Sequence, residues 1–103
     1  MKNWTSDEFA AFLEGGGTGL AYFYTPLCGT CQVASRMLEV VSSLFPDLEI
    51  GKTDLNYAPD IAETYEIMSV PCLFLVKEGK VAESIYAFQS VPYLLEKINT
   101  VIK

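Results

Sequence analysis

The stretch Leu20-Ala-Tyr-Phe-Tyr-Thr-Pro-Leu-Cys-Gly-Thr-Cys31 decides how this chain is read. Its first five residues, Leu20 to Tyr24, are apolar and aromatic, which suits a buried strand. Thr25-Pro26 breaks that strand. Two cysteines three positions apart then stand at the start of a helical pattern. From Gly29 to Leu44 the spacing predicts a helix with Val33, Met37, Val40, Val41 and Leu44 as its apolar stripe, closed by Pro46-Asp47.

Working outward, Thr5-Ser-Asp-Glu8 has the form of a capping box, with Phe9, Phe12 and Leu13 following at helical spacing. Gly15-Gly-Gly17 ends that first helix. The glycine run follows a helix instead of opening one, and no Lys-Ser/Thr comes after it, so it is loop geometry and not a phosphate cradle. Trp4 is expected to pack against this helix. Ile50 to Leu55 is a second strand, and Asp60 to Tyr65 a short helix after the Pro59 turn.

Val70-Pro71 opens a strongly apolar strand, Cys72 to Val76. Lys77-Glu-Gly-Lys80 is a hairpin turn with glycine where a positive φ is needed, and Val81 to Tyr86 returns. Val91 to Ile102 is a terminal helix with Ser90 as N-cap, Pro92 in the first turn, and Leu94, Leu95, Ile98 and Ile102 facing inward. The order is α, β, α, β, α, β, β, α. Long helical connections make the first strands parallel neighbours, and the hairpin is antiparallel. The expected fold class is α/β: a mixed central sheet with helices on both faces, in one domain spanning residues 1–103.

At 103 residues, half of them apolar, the chain suits a single packed core. Seven basic and thirteen acidic residues give a net charge of −6. That disfavours nucleic acid and anionic membrane surfaces, whose binding needs Lys and Arg. No run is long and apolar enough to span a membrane. The N-terminus carries no signal-peptide core, so the cytoplasm is the expected location unless the chain is a processed form. Three cysteines are the wrong parity for a disulfide scaffold and suit a redox or metal site in a reducing compartment. Histidine is absent, which removes every Cys-His, Ser-His and His-metal arrangement.

The pair Cys28-Gly29-Thr30-Cys31 carries the chemistry. A cysteine at a helix N-terminus meets free N–H groups and the positive end of the helix dipole. Both favour thiolate, so its pKa falls below the ordinary thiol value of about 8.5, and thiolate is the form that attacks disulfides. Cys31 follows one turn later, within reach of Cys28. On this reading Cys28 attacks a substrate disulfide at the exposed tip, and Cys31, inside the first turn, resolves the mixed disulfide. Burial as plain core cysteines is the bland alternative. Zinc is another, but it needs four ligands and only Cys72 remains to join the pair.

A CxxC after an apolar strand, opening a helix, with Val-Pro before a later apolar strand, resembles the thioredoxin superfamily along essentially the whole chain. The matching stretches are Leu20 to Cys31, Asp54-Leu-Asn56, and Val70 to Lys80. The chain looks most like the small single-domain thioredoxin-like proteins of bacteria. The resemblance implies a disulfide oxidoreductase acting as a monomer, with Cys28 as nucleophile and Cys31 as resolving thiol. It implies a cis Val70–Pro71 bond, the one kind of peptide bond in which cis lies within about 1 kcal/mol of trans. It also implies a substrate surface formed by Leu27, Gly29, Thr30, Val70, Pro71 and Ala87, with the Val70 backbone meeting an extended segment. The partners implied are protein or small-molecule disulfides, with a reductase or low-molecular-weight thiol as electron donor. No bound cofactor and no metal are required.

The chain departs from that family at several positions. Leu27 stands where a tryptophan is usual, and Thr30 where a proline is usual, which leaves an additional N–H beside the sulfur. Tyr22 stands where a buried aspartate serves the second cysteine, and a phenol of pKa near 10 is a poor base. Ala87, followed by Phe88, replaces a groove glycine, and the proline that kinks the long helix is absent near Arg36. Cys72 takes a threonine position, expected close to the cysteine pair. It is a small residue filling a buried strand, a third redox thiol, or a metal ligand. A binding or adaptor module of the same fold, with little turnover, and a metal or iron–sulfur protein using Cys28, Cys31 and Cys72 are the competing functions. Asp54, Asn56 and Asp60 are expected to serve as caps and turns.

Overall fold

In the computed structural model, which describes residues 1–103, the elements run β1 (Lys2–Asn3), α1 (Ser6–Glu14), β2 (Gly19–Tyr24), α2 (Gly29–Leu44), β3 (Glu49–Asp54), a 3-10 turn (Leu55–Tyr57), α3 (Pro59–Thr64), β4 (Cys72–Lys77), β5 (Lys80–Ile85) and α4 (Val91–Val101). The sheet order is β1-β3-β2-β4-β5. β2 runs parallel to β3 and antiparallel to β4, and β4 pairs antiparallel with β5. β2 therefore lies at the centre of a mixed sheet, and all but its last residue is buried.

Alternation along the strands divides the core between two faces. Leu20 and Tyr22 of β2, with Leu73 and Leu75 of β4, pack against Ala34, Leu38 and Val41 of α2 and Leu94 and Ile98 of α4. On the other face, Ala21, Phe23, Cys72, Phe74 and Val76 meet Phe9 of α1 and Ile61 of α3. The expected α/β sandwich is present, with β1 as an addition. β1 has two exposed residues paired with Gly51 and Lys52, a length and pattern that leave no apolar periodicity to read.

Several local expectations hold. Thr5 and Glu8 form a reciprocal capping box. Ser90 Oγ accepts from the Tyr93 N–H. The β4–β5 turn uses positive φ at Glu78 and Gly79. Trp4 lies 4.7 Å from the Phe12 ring, centroid to centroid. Gly51 makes room for it, since a Cβ there would run into the indole. Asp54 caps the 3-10 turn through the Asn56 N–H, and Asp60 accepts from the Ser6 hydroxyl.

The α2 stripe differs from expectation. Its buried residues are Cys31, Ala34, Leu38 and Val41, while Val33, Val40 and Leu44 are exposed. The helix carries two apolar sides, and Val33, Val40 and Leu44 lie on the outer one. The inner side begins with small residues, Cys31 and Ala34, in the first turns after β2, and continues with Leu38 and Val41. Leu95 is only half-buried at the edge of α4. No helix is long and apolar enough to cross a membrane.

Candidate functional site

β2 ends at Tyr24, and Thr25 to Leu27 turn the chain so that Cys28 becomes the N-cap of α2. An N-cap side chain ordinarily accepts from the backbone of the first turn. Here the acceptor is sulfur: the Cys31 N–H donates to Cys28 Sγ at 3.1 Å. Thr30 Oγ1 lies 3.2 Å from the same sulfur. Across the site, the Val70 carbonyl stands 3.9 Å from Cys28 Sγ, and the Val70–Pro71 bond is cis.

The two cysteines are held in opposite states. Cys28 is partly exposed, and its pKa is lowered, first by the Cys31 thiol beside it and then by the Thr30 hydroxyl. Cys31 is buried, and burial pushes its thiol up to about 11, with proximity to Cys28 adding to the effect. The pair therefore combines an outer sulfur inclined to thiolate with an inner one that keeps its proton. Thr30 contributes more through its hydroxyl than through its backbone N–H, a contact that the comparison with proline alone does not suggest.

The substrate-surface positions inferred from sequence gather around this pair. Gly29 and Thr30 are the first residues of α2 and are exposed. Leu27 projects outward at 98% exposure. Thr30, Pro71 and Ala87 line a groove of about 350 Å³, together with Val33, Met37 and Phe88. The last three complete the groove wall. The one-turn spacing from Thr30 to Val33 to Met37 is the sequence signal for two of them.

Cys72 does not join the site. It begins β4 directly after Pro71, but strand alternation turns its side chain to the α1/α3 face, among Phe9, Phe23 and Phe74. Its thiol faces the Tyr86 hydroxyl, and burial pushes it up to about 11. The expected approach of Cys72 to the Cys28–Cys31 loop holds for the backbone and fails for the sulfur. No three Cys, Asp or Glu side chains converge as a metal-ligand set, so a centre built on Cys28, Cys31 and Cys72 lacks its geometry.

Tyr22 is fully buried behind the pair. Its hydroxyl donates to the Cys31 carbonyl at 2.8 Å and lies 3.0 Å from Ser35 Oγ. Burial raises its pKa far above the ordinary phenol value, so it is no base. Sequence reasoning does not single out Ser35. Its signal is its place four residues after Cys31, on the same side of α2.

A family model described as thioredoxin matches residues 1–100. The thioredoxin-like protein YusE of Bacillus subtilis is 53% identical over 80 residues, covering 78% of this chain and 76% of that protein. The thioredoxin of the same organism is 34% identical over 96 residues, covering 92% and 91%. Among solved structures, a mutant thioredoxin from Halobacterium salinarum superimposes with a TM-score of 0.87 at 23% identity, covering 99% of this chain and 90% of that one. Mitochondrial thioredoxin 3 of Saccharomyces cerevisiae, in its oxidized form, does so with a TM-score of 0.84 at 25% identity, covering 97% and 94%.

Proposed function

The chain belongs to the thioredoxin family, and from that premise we propose a thiol–disulfide oxidoreductase in which Cys28 attacks and Cys31 resolves. The Cys28 thiolate attacks one sulfur of a substrate disulfide. The Cys28–substrate S–S bond forms, the substrate S–S bond breaks, and the leaving thiolate takes a proton from water. Cys31 then loses its proton and attacks Cys28 Sγ. The Cys28–Cys31 disulfide forms and the second substrate thiolate departs. Two electrons pass from protein to substrate, and a reductase or low-molecular-weight thiol restores the dithiol.

One observation carries this reading: the outer sulfur accepts the N–H of the inner cysteine at 3.1 Å, across one helical turn. A thiolate so held is already the attacking species. Leu27, Gly29, Thr30, Val70, Pro71 and Ala87 would form the substrate contact, with the Val70 carbonyl pairing with an extended polypeptide. The cytoplasm is the setting this chemistry fits, because a dithiol donor works where thiols are kept reduced.

Insulin disulfide reduction driven by a dithiol tests the proposal. Wild type is expected to reduce insulin, and Cys28→Ser to fall to the uncatalysed rate with its fold retained. Cys31→Ser is expected to stall as a mixed disulfide on Cys28, visible by mass spectrometry. Retained turnover in Cys28→Ser would refute the assignment. A wild type that binds disulfide peptides without turning them over would favour the adaptor module instead.

A further inference from the structure

The inner cysteine presents a chemical problem. Burial holds the Cys31 thiol up to about 11, yet resolution requires it as thiolate. A buried charge needs a hydrogen-bond donor or a counter-ion. The titratable groups around Cys31 are Cys28 on its own helix, Tyr22 and Tyr24 from β2, and Arg36 and Glu39 farther along α2. None of the effects that move the Cys31 thiol comes from a carboxylate; they are burial, Cys28, the Thr25 backbone and the Tyr22 hydroxyl.

Tyr22 is placed to meet this need. Its single proton is committed to the Cys31 carbonyl at 2.8 Å, so the Ser35 hydroxyl at 3.0 Å is the donor to Tyr22. The phenol therefore rests on the same residue whose sulfur must ionise, and it is braced from the next turn of α2. Hydroxyl hydrogens rotate to suit their acceptors. A bond to a thiolate is charge-assisted and stronger than one to a neutral carbonyl.

Building on the attack-and-resolve reading above, we propose that Tyr22, braced by Ser35, is a positioning residue for Cys31. Its hydroxyl fixes the first turn of α2 while Cys31 is a thiol, and turns to stabilise the sulfur when Cys31 ionises. Tyr22 keeps its own proton throughout. The Cys31 proton leaves to water or hydroxide through the opening of about 370 Å³ that Cys31 shares with Thr25, Gln32, Ser35 and Glu39. Resolution thus depends on a neutral donor and solvent base.

The chromogenic disulfide DTNB separates the two steps by stopped flow: attack by Cys28 releases one coloured thiolate, and resolution by Cys31 releases the second. In wild type the second phase is expected to quicken about tenfold per pH unit between pH 6 and 9, following a single ionisation with no plateau. Tyr22→Phe is expected to slow the second phase about tenfold, the scale of one hydrogen bond to a charged group, and to leave the first phase within about twofold. Ser35→Ala should slow the second phase less, and it serves as the test if Tyr22→Phe fails to fold. In a Cys28→Ser background, iodoacetamide labelling of Cys31 at pH 9 should slow on Tyr22→Phe by a similar factor. That labelling reads the Tyr22–Cys31 link even if Cys28 proves not to attack disulfides, which would show instead as a missing first phase. An unchanged second phase and unchanged labelling in Tyr22→Phe would overturn the proposal, as would a wild-type second phase that levels off below pH 8.

Discussion

Cys31 and Cys72 are both buried thiols pushed up to about 11, and each has a tyrosine hydroxyl beside it. Cys31 lies near Tyr22, at the start of α2; Cys72 lies near Tyr86, at the start of β4. Acidity alone does not tell them apart. The difference is a neighbour. Cys31 stands one helical turn from a sulfur that accepts its backbone N–H, whereas Cys72 stands among aromatic rings on the other face of the sheet. In this molecule a thiol's role is therefore set by what it can reach, and its pKa sets the rate at which it gets there.

The sharpest way to break that comparison is to remove each thiol in turn. Cys31→Ser should abolish multiple-turnover disulfide reduction, while Cys72→Ser should keep it. Mild oxidation of the wild type should give one intramolecular disulfide, Cys28–Cys31, with Cys72 still free to alkylate after unfolding; peptide mapping reads both. Any Cys72 bridge to Cys28 would mean that β4 rotates its first side chain across the sheet, and the comparison would fail.

Alkylation against pH sharpens it next. A thiol held at about 11 is ionised in only about one molecule in ten thousand at pH 7. Cys28, lowered by the Cys31 thiol and the Thr30 hydroxyl, should label with iodoacetamide at neutral pH and reach its plateau below the ordinary thiol value. Cys31 and Cys72 should label far more slowly than Cys28 in the folded protein, gaining speed steadily through pH 9 and above. Thr30→Ala should move the Cys28 profile upward, since it deletes the hydroxyl at 3.2 Å. A Cys28 profile that Thr30→Ala leaves in place would assign the lowering to the helix end and Cys31 alone.

How much of this is legible in the sequence follows from what each signal needs. The strand–turn–CxxC–helix unit and the Val70-Pro71 loop announce the fold because turn residues and apolar runs act locally. The inner face of α2 is hidden because its first two positions are small and the helix carries a second apolar side on the outside. Cys31, Ala34, Leu38 and Val41 recur at helical spacing, but Val33, Val40 and Leu44, which lie outside, are equally apolar and form a competing stripe that shares only Val41 with the buried one. Adjacency to Pro71 suggests a Cys72 thiol near the pair; the period-2 alternation that sends Leu73 toward α2 and Cys72 away from it decides otherwise. β1 and the Tyr22–Ser35 contact depend on pairings between distant segments, which no local pattern records.

Stability against pH gives a smaller effect. Both buried thiols have folded values above the ordinary one, so the folded state holds their protons more tightly than the unfolded chain does. Their contribution is complete below about pH 8.5 and is lost as pH rises toward the folded value. The denaturation midpoint of the reduced protein should therefore fall above about pH 9, after a rise toward the ordinary thiol value contributed by Cys28, whose folded pKa is lowered. Cys72→Ala should make that fall shallower, because it removes one of the two thiols.

The smallest effect expected is that of Cys72→Ser. The Tyr86 hydroxyl accepts from the Met68 N–H at 3.4 Å and also faces the Cys72 thiol, so it ties the loop that carries Val70 to the start of β4. A serine hydroxyl can replace the thiol in that arrangement, but it is more costly to bury and has a shorter reach. A loss of about 1 kcal/mol in stability is the scale set by one imperfect buried hydrogen bond. Disulfide reduction should stay within about twofold of wild type, because Cys72 touches neither sulfur of the pair. If activity instead falls tenfold or more while the fold is kept, the Cys72–Tyr86–Met68 tie positions Val70 for substrate. Cys72 would then serve the site through its backbone neighbours, and the contrast with Cys31 would become one between direct and indirect service to Cys28.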